Sequence, residues 1–568
     1  MSAHPCAPEF LPLARIFHWE RERAHYPYLT QPMGNGLVRD YSWAQAVGEA
    51  RRVAAWLRAQ GWEPGSRVAI LSKNCAHWIM ADFAIWMAGH VSVPVYPTLT
   101  ADSVRQILEH SGARACLVGK LDGWEAMRPG IPEGVLCFST PLSPKNDYPQ
   151  WERIVAETEP LEGEIVRDAD ELATIVYTSG TTGMPKGVMH SFGAIGWSTG
   201  PVTAASGIGA DDRMLSYLPL AHVAERWLVE AASIRTGFRV YFAESLDSFL
   251  SDLRRARPTH FVSVPRLWTK FQQGVFSKLP KQKLDLIFKL PLLGGLMKEK
   301  ILKGLGLEHC RYAGGGASPM PPSLIQWYRD LGLELLEGYG MTENFGCSHG
   351  CRVGRARIGY VGEVWEGTEH RLSPEGEVQT RGPTTMLGYY REPEKTRETM
   401  TEDGWLRTGD LGEIDELGRL RIVGRLKEQF KTSKGKYVAP APIENKLSVH
   451  PAVEACCVVG ASFPQPFALL MLNAEAAAGC AADAGRRAEL GASLQQLLNA
   501  VNATLDEHEK LDFLVVVPEQ WTVENGLITP TLKVKRPSIE ASYAGQFEAW
   551  AQRRQTVVWQ GLAAGQAR

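Results

Sequence analysis

Three glycines, four hydroxyl side chains and a lysine crowd into Tyr177-Thr178-Ser179-Gly180-Thr181-Thr182-Gly183-Met184-Pro185-Lys186-Gly187. Glycines let backbone N–H groups approach an anion closely, and the lysine adds a positive charge. The segment therefore reads as a loop that folds over the phosphates of a nucleoside triphosphate. Taken one by one, the same residues could fill an ordinary surface turn; the accompanying lysine argues against that reading. The pattern is not the GxxxxGK[ST] loop, because Lys186 is followed by Gly187 and Pro185 opposes immediate entry into a helix. A kinase or GTPase reading loses support accordingly.

Two further clusters carry usable groups. In Glu337-Gly338-Tyr339-Gly340-Met341-Thr342-Glu343, Tyr339 offers a stacking face for adenine. Thr342 offers a hydrogen bond to phosphate, and Glu343 a hard oxygen ligand for the magnesium that accompanies triphosphates. In Gly404-Trp405-Leu406-Arg407-Thr408-Gly409-Asp410, the carboxylate ends a glycine and aromatic turn, where it could hold both hydroxyls of a ribose. In isolation, the Tyr-Gly turn reads as structural and Asp410 as a turn or capping residue.

These groups need a scaffold. The β-branched run 173–177 predicts a strand that launches the first loop from a rigid sheet. Helical spacing covers 43–60 and 81–89, and strands are expected at 67–71, 90–96, 115–118, 239–241, 261–264 and 334–336. The alternation predicts a large, lobed α/β domain with parallel layers. Gly424-Arg425-Leu426-Lys427-Glu428 reads as a polar hinge, giving domains of 1–424 and 425–568. The smaller α+β unit has strands at 455–459 and 513–517 with an Ala-rich helical stretch between them. A chain of 568 residues exceeds a single core.

Composition narrows the class. With 61 basic and 63 acidic residues the net charge is −2, so no global field recruits nucleic acid or an anionic membrane, and any basic site must be local. Ten cysteines lack the density of a disulfide scaffold, and the N-terminus has no basic segment before an apolar signal core; a cytoplasmic location is expected. The apolar stretch 77–97 is broken by Asp82 and His90, so no membrane-spanning helix is expected there.

With the three clusters in this order, the chain resembles the adenylate-forming superfamily of acyl-CoA synthetases, adenylation domains and luciferases over nearly its full length. Further matches are Leu218-Pro219-Leu220-Ala221-His222, Gly376-Glu377-Val378 with Arg381-Gly382-Pro383, Gly424-Arg425, and Thr529-Pro530-Thr531-Leu532-Lys533-Val534-Lys535-Arg536. The wording of 218–226, Ser263-Val264-Pro265-Arg266-Leu267-Trp268 and 525–533 is most similar to long-chain fatty acyl-CoA synthetases.

The resemblance implies two half-reactions. A fatty acid carboxylate attacks the α-phosphate of ATP to give acyl-AMP and pyrophosphate, and the thiol of the co-substrate coenzyme A then takes the acyl group. It implies that Thr178, Ser179, Gly180, Thr181, Thr182, Gly183 and Lys186 bind ATP, together with 337–342, Asp410 and Arg425. Glu343 and Thr178 are the implied magnesium ligands. Gly314, Gly315, Gly316 and Ala317 match the segment between adenine and the acyl pocket. His222 matches the gate beside the acyl carboxylate, a buried structural histidine being the alternative. Lys533 matches the mobile C-terminal lysine, although Leu532 stands where glycine is commoner and Lys535 is a nearby competitor. Lys427 replaces the aspartate common at the hinge.

Three features stay open or fall away at this stage. Trp268 either lines the acyl tunnel or fills core. From 278 to 303, seven lysines accompany two acidic residues among many leucines, with Pro291, Gly294 and Gly295 interrupting a single long amphipathic helix. That stretch fits either peripheral contact with anionic lipid or an insertion packed over the acyl tunnel. Cys347-Ser348-His349-Gly350-Cys351 lacks a second ligand pair at zinc spacing and is discounted as a metal site. A fatty acyl-AMP ligase that loads a carrier protein and a noncatalytic acyl- or nucleotide-binding scaffold remain as alternatives, and oligomeric state is not legible.

Overall fold

The computed structural model describes residues 4–178, 185–316, 318–529 and 533–560. Alternating apolar runs and helical patterns build a large N-terminal unit from three sheets, followed by a smaller C-terminal unit around a fourth. The α/β expectation is met.

The seven-stranded sheet of the large unit has at its centre Val91–Val95 and Arg67–Leu71, flanked by Ala113–Val118, Leu136–Ser139 and Leu172–Thr178. These five strands are parallel, with near-continuous apolar sequences suited to burial on both faces. The helix Trp43–Arg58 starts at a capping box in which Ser42 and Gln45 satisfy each other's backbone N–H groups. The helix Ala76–Met87 is buried along its entire length. It begins five residues before the expected 81, because the Gln31 side chain supplies the missing cap by accepting from the Ala76 N–H at 2.8 Å. Among the described residues, no helix is long and apolar enough to cross a membrane.

The expectation of parallel layers is corrected at two places. The strand Lys186–Ser191 runs antiparallel to Leu172–Thr178, since a connection of seven residues can join only an antiparallel neighbour. Gly388–Tyr389 then adds antiparallel to its far edge. In the nine-stranded sheet only His260–Ser263, Tyr312–Gly315 and Leu335–Tyr339 are parallel; the six strands from His349–Gly350 to the edge at Glu369–Leu372 all pair antiparallel.

That sheet includes Arg419–Arg425, after which the 3-10 turn Leu426–Glu428 leads into the C-terminal unit. There Val453–Val459, Phe467–Leu472, Leu514–Val517 and Val557–Trp559 form one sheet with helices on both faces. The Ala-rich stretch is two helices, Ala474–Ala482 and Ala484–Asn502, separated at Asp483, whose carboxylate accepts from the Gly485 and Arg486 N–H groups. The lysine-rich stretch also divides into two helices, Lys281–Phe288 and Pro291–Leu305. Pro291 alone makes the break; Gly294 and Gly295 continue the second helix, and Gly294 lets it approach the Phe288 carbonyl more closely than a Cβ allows.

Candidate active site

The site lies where the ends of the two large sheets face the small domain. Thr178 and Lys186 stand directly opposite each other across the strand pair that carries the glycine loop. Ser179, Gly180, Thr181, Thr182, Gly183 and Ala317 lie outside the described residues, as do Pro530 to Leu532. The Lys186 ammonium sits 4.9 Å from the centre of the Tyr389 ring. The same tyrosine donates its hydroxyl to Glu343 Oε1 at 2.7 Å, in a buried contact. The Glu343 backbone carbonyl accepts from the Met386 N–H, so the strand-forming segment before Tyr389 also fixes the turn Thr342–Asn344.

A second anchor holds this turn. His190 Nε2 lies 2.7 Å from the Thr342 carbonyl and therefore donates to it. Burial pushes His190 down to about 3, which keeps the ring neutral. Gly340 has no room for a Cβ against the Gly346 carbonyl, which explains a glycine at that point of the cluster.

A third group of side chains gathers around Asp410. Asp410 and Arg425 are opposite each other on neighbouring strands, and Arg425 Nε donates to Asp410 Oδ1 at 2.9 Å. The Tyr339 hydroxyl donates to Asp410 Oδ2 at 2.6 Å. Burial, with the negative charge of Asp410, holds the Tyr339 phenol well above its ordinary value, so it stays a donor. Gly315 lies beside Glu337 across parallel strands, and Gly316 faces the Gly338 carbonyl. Glu337 itself is buried and pushed up to about 7, and it accepts from the Met320 N–H.

The small domain contributes Lys533. Its loop is closed by Thr529, whose N–H donates to the Lys533 carbonyl at 2.8 Å and whose hydroxyl accepts from the Lys533 N–H at 3.0 Å. Lys533 is exposed to solvent. Desolvation and the Arg425 guanidinium lower its affinity for a proton, while Asp410, Glu428 and Glu343 oppose them. Arg425, Asp410 and Glu343 lie on the large domain and Glu428 on the turn that follows it. Lys535 instead precedes the helix Arg536–Tyr543. Lys427 is exposed in the 3-10 turn between the domains.

His222 is half-buried and caps a short helical turn, its Nδ1 accepting from the Ala224 N–H at 3.1 Å, which leaves the proton on Nε2. Desolvation, then the Lys533 charge, pushes His222 down to about 4. A neutral imidazole beside a cationic lysine is the result. Trp268 is fully buried among Phe261, Phe271 and Tyr328, and its indole N–H donates to the Gly314 carbonyl at 3.1 Å. It thus backs the glycine strand and does not reach the charged cluster.

Sequence reasoning did not single out Tyr389, His190 or Asn74. Asn74 Oδ1 accepts from the Leu220 N–H at 2.9 Å, and its Nδ2 donates to the Leu218 carbonyl and to Ser216 Oγ. Glu225, pushed up to about 8 by burial, accepts from Ser216 Oγ and the Tyr217 N–H. Together they pin the loop that ends in His222. Arg226 ties the same segment to the strand Leu172–Thr178, donating to Thr174 at 2.5 Å and pairing with buried Asp82 and Glu230. No local pattern marks Tyr389, His190 or Asn74, because each meets its target from a remote element. His349, discounted above as a metal ligand, has Nε2 2.7 Å from His370 Nδ1.

Comparison with known proteins agrees with this geometry. The family described as AMP-binding enzyme matches residues 17–390, and its C-terminal domain matches 427–555. The long-chain-fatty-acid–CoA ligase FadD15 of Mycobacterium bovis is 31% identical over 94% of this chain and 96% of its own. The peroxisomal long chain acyl-CoA synthetase 7 of Arabidopsis thaliana is 30% identical over 96% of this chain and 87% of its own. The fold is similar to that of the anthranilate CoA ligase AuaEII in complex with anthranoyl-AMP, with TM-score 0.75 and 21% identity over 95% of this chain and 99% of that one. It is also similar to ATP-bound MatB from Rhodopseudomonas palustris, with TM-score 0.73 and 23% identity over 94% of this chain and 99% of that one.

Proposed function

The chain belongs to the AMP-binding enzyme family, and on that premise we propose that it is an AMP-forming long-chain fatty acid:CoA ligase. The observation that carries the proposal is the cluster in which Tyr339 and Arg425 both hold Asp410, next to the turn where Tyr389 holds Glu343 and lies under Lys186. The relatives named as long-chain ligases support the choice of acid and of thiol.

The chemistry follows from charge. A carboxylate is a poor acyl donor, because its negative charge repels a thiolate and its leaving group is oxide. In the first half-reaction a carboxylate oxygen bonds to the α-phosphorus of ATP as the bond to pyrophosphate breaks. No protein group needs to take or give a proton, so the rate comes from positioning and from cations aimed at the phosphates. Lys533 supplies a donor to the carboxylate and α-phosphate, and Lys186 neutralises charge near the loop that receives the other phosphates. Asp410 holds the ribose hydroxyls, with Tyr339 and Arg425 fixing its orientation, and the Tyr339 ring flanks adenine. In the second half-reaction the coenzyme A sulfur attacks the acyl carbon and AMP leaves as a stabilised anion. Neutral His222 separates the acyl site from the phosphates without competing for either anion. Rotation about the turn at Lys427, with 1–424 and 425–568 moving as units, withdraws Lys533 between the steps.

Glu343 and Thr178 fit a magnesium ion that arrives with ATP, since such ions use one or two protein oxygens and complete their shell with phosphates and water. Bound there, the ion would neutralise charge on the phosphate oxygens. All ten cysteines are free thiols, nine of them buried, which supports placing the enzyme in the reducing cytoplasm.

The test is pyrophosphate release with acids from acetate to oleate, with and without coenzyme A, and mass spectrometry of the acyl product. Acyl-CoA from long acids is expected. Acyl-AMP that persists in the presence of coenzyme A would identify a carrier-protein ligase instead, and no turnover with any acid would leave a noncatalytic scaffold.

A further inference from the structure

Leu286, Leu290, Leu292, Leu293 and Leu296 all face solvent at the tip of the hairpin formed by Lys281–Phe288 and Pro291–Leu305. Leu292 is 84% exposed and Leu286 66%. A single exposed leucine needs no explanation, but five on one hairpin tip make an apolar patch. The opposite face is conventional core: Leu284 is fully buried, and Phe288, Ile301, Leu302 and Leu305 pack with the cluster that contains Trp268 and Phe271. The outward leucines are therefore surplus to folding.

Charge around the tip identifies what covers it. Lys278, Lys281, Lys283, Lys289, Lys298, Lys300 and Lys303 lie on the hairpin or just before it, against only Asp285 and Glu299. Asp285 is already paired with Lys281 at 2.6 Å. A chain of net charge −2 thus carries an excess of five positive charges on and just before the one hairpin that bears the apolar tip. A second copy of the same face would bring like charges together. An anionic bilayer satisfies both parts: leucines enter the boundary of the acyl chains while lysines extend along their stems to the headgroup phosphates.

We propose that the hairpin tip 286–296 seats in the surface of an anionic membrane. Resting on the ligase reading, this contact sets the helix that carries Trp268, Pro265–Phe276, next to the phase in which long-chain acids dissolve.

Co-sedimentation of the full chain with phosphatidylcholine vesicles, with and without phosphatidylglycerol, tests it without any turnover, so failure of the ligase reading leaves the result interpretable. Binding to the anionic vesicles is expected, weakening as salt is raised. The triple variant Leu292→Ser, Leu293→Ser, Leu296→Ser should lower vesicle binding at least about tenfold. Lys283→Gln, Lys289→Gln, Lys300→Gln should do the same at low salt, and provides a second reading that keeps the apolar tip intact. Absence of binding to anionic vesicles, or binding indifferent to both variants, overturns the proposal. So does a leucine-dependent dimer in sedimentation velocity without lipid, which would make a second copy the occupant.

Discussion

At the scale of single residues, Tyr389 joins two groups that the sequence placed far apart. Its hydroxyl holds the Glu343 carboxylate and its ring face lies under the Lys186 ammonium, so one side chain positions the candidate metal ligand and the phosphate lysine. A buried hydrogen bond to a charged group contributes about 1.5–3 kcal/mol. Tyr389→Phe keeps the ring and removes only that bond, and should lower kcat/KM for magnesium-ATP about tenfold or more. The concentration of magnesium giving half-maximal rate should rise, while KM for the fatty acid stays within about twofold. Equal loss for both substrates with no change in metal dependence would mark a purely structural residue. Glu343 was legible from its own cluster. Tyr389, 46 residues on, was not, because only the antiparallel addition of Gly388–Tyr389 to the edge of Lys186–Ser191 brings it there.

At the scale of elements, much of the scaffold was legible where the information is local. The strand Arg67–Leu71 and the helix Trp43–Arg58 follow from β-branched content, helical spacing and a capping box. Two expectations failed: the start of Ala76–Met87 is set by the distant Gln31, and the direction of Lys186–Ser191 by the short connection before it. The loop bearing His222 shows the same division. Its sequence could be recognised, but the reason it holds one shape is Asn74, from the turn before another helix. Asn74→Ala leaves buried backbone groups at Leu218 and Leu220 without their partner and should cost about 1–3 kcal/mol, visible as a lower Tm. Because the loop ends at His222, proposed above to separate the acyl site from the phosphates, KM for the fatty acid should rise in the same variant. An unchanged KM with a lowered Tm would confine Asn74 to stability.

At the scale of the whole molecule, acid sensitivity and domain geometry both follow from burial. Desolvation pushes His77 and His190 down to about 3, and His90 and His222 to about 4, from an ordinary value of 6.5. At these four rings the unfolded chain binds more protons than the native one, so their contribution to stability is full above about pH 6.5 and falls as the pH drops toward 4; buried Glu225 and Glu337, pushed up to about 8 and about 7, act in the opposite sense. Each histidine contributes a slope of up to about 1.4 kcal/mol per pH unit. Melting followed from pH 8 to 4 should show the Tm falling progressively below 6.5; a Tm flat to pH 4.5 would mean these rings are already solvated. The two domains meet through the ion pair of Arg266 with Glu454, and the proposed reaction requires Lys533 at the carboxylate and α-phosphate during adenylation. The most direct test of that assignment separates the half-reactions in Lys533→Ala. The account predicts that acyl-AMP formation, measured as pyrophosphate release, falls by about a hundredfold, the cost of about 3 kcal/mol for one donor aimed at developing charge. Thioester formation from supplied acyl-AMP and coenzyme A should continue at close to the unmutated rate. Equal loss of both steps, or adenylation that survives the substitution, would contradict the placement of Lys533 at the centre of the first half-reaction.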